Sequence, residues 1–179
     1  MGTEVNERKL IREAQRGSEK ALAALYARHW QRAQRAAYLV VHDAAAAEDI
    51  AQEAFLAAVD NLDRFDRRRP FAPWLHRIVV NRAIDWGRRE ALRTSAGEPE
   101  ERAAPSHADK AAGELMPALA QLPPEQRAVV VLRYLLEYKP GEIAEMLELP
   151  RGTVNSRLRR GLDRLRAVAE TDAAMEGSR

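Results

Sequence analysis

Apolar residues recur along this chain at spacings of three and four, and almost nowhere at a spacing of two. Leu22, Leu25, Tyr26, Trp30, Ala33 and Ala37 make one such stripe. Ile50, Ala54, Ala57 and Ala58 make a second, and Leu75, Ile78, Val79 and Trp86 a third. Further on come Val129, Leu132 and Leu136, then Ile143, Ala144 and Leu147, then Val154, Leu158, Leu162 and Leu165. This period buries one face of a helix, so the pattern predicts an all-α fold. The best candidate for a strand, Val129–Leu132, has helical flanks. Local signals place the ends. A short helix over Leu10–Gln15 closes at Gly17. Ser18 and Asp43 are N-cap candidates for the next two helices, the second running to Leu62. Pro73 suits the first turn of a helix reaching Arg89, Pro123-Pro124 opens one over Glu125–Leu136, and Pro140 opens another.

The pattern lapses between about Ala91 and Gly113. ALRTSAGEPEERAAPSHADKAAG has few large apolar residues to offset the entropy of ordering, and reads as a flexible linker. Two small helical domains are therefore expected, over 1–90 and 113–168, joined by residues 91–112. The small, polar residues 169–179 read as a disordered tail.

Composition narrows the chemistry. The chain has 179 residues, 46% hydrophobic and 31% charged, with good helix formers dominant. It has no cysteine, so disulfides, cysteine nucleophiles and thiolate metal sites are excluded; this fits a reducing compartment, and a cytoplasmic location is expected. No stretch approaches the roughly 20 apolar residues of a membrane span, and no secretory leader is apparent. His29, His42, His76 and His107 are scattered, so no metal or other cofactor is expected. An enzyme is the least supported class: there is no nucleophile–base pair, glycine-rich phosphate loop or metal-ligand set.

Charge then singles out the last helix. Glu142–Arg166 reads as helix, tight turn at Leu149-Pro150, and second helix. Arg151, Arg157, Arg159, Arg160, Arg164 and Arg166 face one acid, Asp163, a local charge of +5 in a chain totalling +2. Asn155, Ser156, Arg159 and Arg160 point away from the apolar stripe. A helix-turn-helix lays its second helix in the DNA major groove, where base pairs are distinguishable. The competing reading is a solvated amphipathic helix.

A second constellation lies in WLHRIVVNRAIDWGRRE, where Arg77, Asn81, Asp85 and Arg88 share a stripe. An arginine-rich loop carrying Phe65 and Phe71 precedes it. Cations that follow phosphate, rings that stack and an amide that reads a base edge suit single-stranded nucleic acid. Phe71 and Trp74 also fit a core, and Arg77 with Asp85 fits a surface ion network. In the preceding helix, Asp49, Gln52 and Glu53 share a face, with Phe55 and Leu56 close by. That face suits a basic partner helix, or plain solvation.

Together these segments resemble the sigma factors of bacterial RNA polymerase, in particular the small two-domain extracytoplasmic-function group. Three stretches carry the likeness, which covers about Leu10–Arg89 and Met116–Val168: AEDIAQEAFLAAVDNLDRFD, FAPWLHRIVVNRAIDWGRRE and LPPEQRAVVVLRYLLEYKPGEIAEMLELPRGTVNSRLRRGLDRL. The resemblance implies a promoter-specific initiation factor. Asp49, Gln52, Glu53 and Phe55 would dock on the clamp helices of the largest core polymerase subunit. Phe65, His76, Arg77, Asn81 and Arg88 would hold melted minus-10 bases. Arg151, Asn155, Ser156, Arg157, Arg159, Arg160 and Arg164 would bind the minus-35 duplex. It further implies contact with the flap of the second-largest subunit, a linker bearing Glu98, Glu100 and Glu101 near the RNA exit path, and an anti-sigma protein. The chain departs from the family pattern at His76, where an aromatic is usual, at Lys139-Pro140-Gly141, at Glu148, where glycine is common, and at Gly161, where alanine is. Glu148 would be strained at positive φ, and Gly161 would loosen its helix by up to about 1 kcal/mol. A helix-turn-helix regulator that never binds polymerase, and a helical scaffold, are the other readings of the same residues.

Overall fold

The computed structural model describes residues 2–96 and 115–176, with side-chain surroundings for 6–96 and 115–170. Helix α1 spans Gly2–Ala14, well before the Leu10 start expected. Among its described side chains only Ile11 and Ala14 are buried. Its first two turns therefore carry no apolar period, and form from good helix formers such as Glu7, Arg8 and Lys9. Gly17 then turns the chain at φ +85°, where a side chain would be strained.

Both predicted caps form. The Ser18 hydroxyl accepts from the Ala21 N–H at 3.3 Å and starts α2, Glu19–Val41. The Asp43 carboxylate accepts from the Ala46 N–H at 2.8 Å and starts α3, Ala44–Asp60. A 3₁₀ turn, Leu62–Arg64, leads into the arginine loop. The Gln15 amide pins that loop by donating to the carbonyls of Leu62 at 2.8 Å and Phe65 at 3.1 Å. Helix α4, Phe71–Ser95, carries Pro73 in its first turn as predicted, and runs on into the residues assigned to the linker. Alanine, leucine and arginine there favour the helix. The rest of the linker, with Glu98, Glu100 and Glu101, lies outside the described residues.

The second half contains α5, Leu115–Ala120, and α6, Pro124–Val130, continued by a π turn over Val131–Leu135. Val129–Leu132 is thus helical. Helix α7, Pro140–Leu147, is capped by the Glu142 carboxylate, which accepts from the Lys139 N–H at 2.6 Å. Glu148 then takes φ 53°, the left-handed turn its departure from glycine pointed to. Helix α8 runs from Arg151 to Glu176. The tail expected to be disordered from 169 is therefore helical to Glu176, because AVAETDAAME is alanine-rich and a helix already under way propagates at little cost.

Helix α2 packs on α1, α3 and α4 around Leu25, Ala33, Val40, Leu75 and Val79; α6 and α7 pack on α8 around Val129, Ile143 and Val154. His29, one of the scattered histidines, is buried in α2. It sits 3.1 Å from the Glu7 carboxylate and 5.0 Å, ring to ring, from Phe71. Burial holds its pKa below the ordinary value, against the opposing pull of Glu7.

The two halves also touch. Helix α4 lies against α6 and α7, and α2 against α6, so one apolar cluster runs through both halves. Arg127 donates to the Ala120 and Leu122 carbonyls at 2.7 and 2.9 Å, and to the Val40 carbonyl of the other half at 2.5 Å. The last carbonyls of a helix have no partner within it, and Arg127 supplies one to the end of α2.

Candidate nucleic-acid and polymerase interfaces

Helices α3 and α4 leave a cleft between them of about 460 Å³. That lies within the ~300–1,000 Å³ typical of small-ligand sites. Its apolar lining is Ala57, Phe65, Trp74 and Ile78; its polar lining is Asn61, Arg64, Arg77 and Arg82. Phe65 and Trp74 lie 4.6 Å apart, and Phe71 sits behind them, edge-on to Phe65 at 5.7 Å. Phe65 and Phe71 are buried, while Trp74 is half-buried. An aromatic wall beside three guanidinium groups provides a stacking surface and phosphate contacts together.

Of the five residues expected to hold melted bases, Phe65 and Arg77 line this cleft; His76, Asn81 and Arg88 do not. Asn81 is exposed farther along α4. His76 points into the seam between the halves, 5% exposed, with Nδ1 2.7 Å from the Tyr138 hydroxyl. Burial lowers its pKa to about 4, helped by the positive surroundings of His29 and Arg32. At neutral pH the ring carries no charge and offers no stacking face to solvent. Tyr138 is pushed the other way, to about 12, chiefly by burial and then by Glu142. Arg77 pairs with Glu148, and Arg88 Nε donates to the Glu125 carboxylate at 2.6 Å. The Glu125 pKa is lowered: burial alone would raise it, and the Arg88 hydrogen bond, a backbone hydrogen bond and the charges of Arg88 and Arg157 outweigh that.

Asn61, Arg64, Trp74, Ile78 and Arg82 were missed as a group. Their signal is two four-residue ladders, from Ala57 on α3 to Asn61 just past its end, and Trp74–Ile78–Arg82 on α4. The stripe read from sequence, Arg77–Asn81–Asp85–Arg88, is the neighbouring face.

On α3 and α2, Asp49, Gln52 and Glu53 are exposed as expected, with Gln52 donating to the Glu48 carboxylate at 3.4 Å. Phe55 corrects the reading. It is 6% exposed and packs on Tyr26 at 4.9 Å and Trp30 at 6.1 Å. The side chain beside it, Leu56, is 67% exposed, with Tyr26 and Val59 also open. A one-residue step rotates a helical side chain by about 100°, which exchanges the inward and outward positions.

Along α8, Val154 and Leu158 are buried and Leu162 and Leu165 half-buried, so the predicted stripe faces the core. Arg151, Asn155, Arg159, Arg160 and Arg164 are exposed on the other side. Ser156 is half-buried; its hydroxyl donates to the Thr153 carbonyl at 3.0 Å and meets Arg160 at 3.2 Å. Arg157 is half-buried. Gly161 also has a packing role. A Cβ there would lie 2.9 Å from Val130 Cγ2, so its role is to let α8 approach α6.

The chain matches the family models for sigma-70 region 2 over residues 25–93 and for sigma-70 region 4 over residues 112–165. It is 31% identical to the ECF RNA polymerase sigma factor SigW of Bacillus subtilis, over 89% of this chain and 94% of that one. It is 36% identical to the ECF sigma factor SigM of Mycobacterium tuberculosis, over 83% and 77%. The solved structure of CnrH in complex with the cytosolic domain of CnrY superposes with a TM-score of 0.69 at 29% identity, covering 93% of this chain and 98% of that one. RpoE of Bartonella quintana, solved with the anti-sigma factor NepR, shares the fold with a TM-score of 0.69 at 22% identity, over 86% and 99%. With regions 2 and 4 falling on the two halves of the fold and a relative matched over nearly its whole length, this chain belongs to the extracytoplasmic-function sigma factors of the sigma-70 family.

Proposed function

We propose that this sigma factor divides promoter recognition between its halves while both ride on core RNA polymerase. The exposed arginines of α8 grip minus-35 duplex, with Arg159, Arg160, Asn155 and Arg151 toward base edges and Arg157 and Arg164 nearer phosphate. The α3–α4 cleft accepts a base drawn from the minus-10 stack. Extrusion costs a few kcal/mol, and a matching pocket offsets it, so opening is favoured at matching sequence. The outer face of α3, Asp49, Gln52 and Glu53 around Leu56, meets polymerase. Relatives of this fold were solved with regulatory partners, CnrY and NepR, and an anti-sigma protein of that kind is proposed here.

The observation that carries this reading is the cleft itself, because a regulator confined to duplex binding has no use for an aromatic pocket lined by three arginines in its other half. The test is run-off transcription with core polymerase on a promoter library, together with Arg64→Ala and Leu56→Glu. Arg64→Ala should slow promoter opening while leaving polymerase affinity unchanged. Leu56→Glu should lower polymerase affinity at least tenfold, about 1.4 kcal/mol. Tight, selective duplex binding by the isolated chain, indifferent to added polymerase, would replace this reading with that of a DNA-binding regulator.

A further inference from the structure

The loop on one side of the α3–α4 cleft is held from a distant part of the chain. Its 3₁₀ turn, Leu62–Arg64, closes through two backbone bonds. The Arg64 N–H donates to the Asn61 carbonyl at 3.2 Å, and the Phe65 N–H to the Leu62 carbonyl at 3.0 Å. Bonds of this i to i+3 kind have poor geometry and hold only short runs. Phe65 then leaves in extended backbone, and residues 66–70 are exposed. One side chain bridges the ends of the turn. Gln15, just past α1, donates to the Leu62 carbonyl at 2.8 Å and to the Phe65 carbonyl at 3.1 Å. Both partners only accept, so the amide presents its NH2 to them, one hydrogen for each. Between those two anchors Arg64 is turned out to solvent, while Phe65 is buried. The platform under Gln15 is firm. Its N–H donates to the Ile11 carbonyl at 2.9 Å, and Ile11 is fully buried. The N–H groups of Gly17 and Ser18 close the helix end on the carbonyls of Ala14 and Glu13 at 2.9 and 3.0 Å. Two turns earlier the Glu7 carboxylate meets Arg28 at 3.4 Å and His29 at 3.1 Å. The His29 ring lies 5.0 Å from Phe71, itself 5.5 Å from Trp74. Helix α1 thus backs the cleft twice, at the loop backbone and behind the aromatic wall.

We propose that Gln15 is a positioning residue for base capture, its amide fixing the Leu62–Phe65 turn so that Arg64 and Phe65 stand in place before a base arrives. This rests on the minus-10 reading of the cleft. Gln15 does not line the cleft, so it acts through the turn. Ordering a loop in advance removes that cost from binding. Without the pin, fewer chains are ready to accept a base, and apparent affinity falls with the ready fraction. A base that does not fit makes no use of the pocket. Its opening rate is therefore little changed, and selectivity falls along with the rate on the preferred base.

The test uses the full chain with core polymerase, on promoters that differ at one minus-10 base. Gln15→Met keeps the length of the side chain and removes both donors. Gln15→Asn keeps the amide but draws it back by one methylene, short of spanning both carbonyls. Gln15→Lys restores donors at a similar reach. Opening rate on the preferred base, and its ratio to the rates on the others, are read beside polymerase affinity and the urea midpoint. Gln15→Met and Gln15→Asn should lower rate and ratio about 5–10-fold, the extent expected of two neutral hydrogen bonds. Polymerase affinity should be unchanged. Gln15→Lys should recover most of the ratio, which an added charge near phosphate does not supply. Where Gln15→Met lowers the urea midpoint, Gln15→Asn carries the comparison. Variants that open and discriminate like the unaltered chain overturn the proposal and leave the minus-10 reading intact. So does a loss of polymerase affinity in step with opening, or a Gln15→Lys chain no more selective than Gln15→Met. Arg64→Ala, run in parallel, separates the two claims: if it keeps both rate and ratio, the minus-10 reading fails and the role of Gln15 fails with it.

Discussion

The two long helices α4 and α8 carry the same kind of stripe, arginines with an amide at helical spacing, and the fold treats them oppositely. On α8 Arg151, Arg159, Arg160 and Arg164 stand open, and the hydrogen bonds and ion pairs described for the helix's arginines stay within it: Arg160 to Ser156 at 3.2 Å and Arg166 to Asp163 at 3.7 Å. On α4, Arg77 and Arg88 reach acids of the other half, and His76 is buried beneath Tyr138. A charge pattern therefore states what a helix face is able to bind. Whether that face is free is decided by contacts between residues some 40 to 70 positions apart, and those leave no period in the sequence.

The largest test of the contrast is acid. His76 is neutral in the folded chain because burial disfavours the imidazolium, its pKa falling from 6.5 to about 4. The unfolded chain takes up that proton as pH falls through 6.5, and the folded chain only near 4. The stability His76 protects is thus fully present above pH 6.5 and is lost progressively between 6.5 and 4, by about 2–3 kcal/mol. His29 shifts in the same direction, so the comparison is with His76→Gln, which should flatten the profile between pH 6.5 and 5. An NMR titration placing His76 at its ordinary pKa would show the α4 face to be as open as that of α8.

A smaller effect belongs to the open helix. Arg159→Ala should weaken promoter duplex binding by about 1–3 kcal/mol if the guanidinium is bidentate on a guanine. Thermal stability should hold within about 0.5 kcal/mol, as for surface substitutions that disturb no packing. A matching loss of stability would mean that Arg159 is tied into the fold as Arg77 is, and the contrast would fail.

Most of the architecture was legible because it depends on period and caps: Ser18, Asp43, Pro73 and Pro140 mark element starts, and the stripe through Val154 and Leu158 faces the core. The helix ends were not. Helices α1, α4 and α8 extend through polar or alanine-rich turns where burial writes no apolar pattern. The exposed face of α8 was legible because the helix-turn-helix pattern is local. The cleft was only partly so, since Asn61 and Arg64 are brought opposite Trp74 and Arg82 by the α3–α4 turn and not by spacing within one helix. Phe55 and Leu56 show the limit of face assignment: adjacent apolar residues, one inward and one outward, with nothing local to decide between them.

The smallest effect separates the packed side of α8 from its open side. Read from sequence, Gly161 only weakens the helix, and Gly161→Ala should stabilise it by about 1 kcal/mol. In the fold the added methyl meets Val130 Cγ2 at 2.9 Å, with the Gln126 carbonyl at 3.7 Å. Overpacking of this kind typically costs about 1–3 kcal/mol, so the clash outweighs the helix gain and the expected net is a loss of about 1 kcal/mol by urea denaturation. The helices α4 and α8 thus each place a glycine against α6, Gly87 at Pro124 and Gly161 at Val130. A double-mutant cycle isolates the cause. In a Val130→Ala background the blocking methyl groups are gone, so Gly161→Ala should change sign and become stabilising. If Gly161→Ala stabilises the unaltered chain as well, α8 is not held close to α6, and its open face has no fixed frame from which to read a groove.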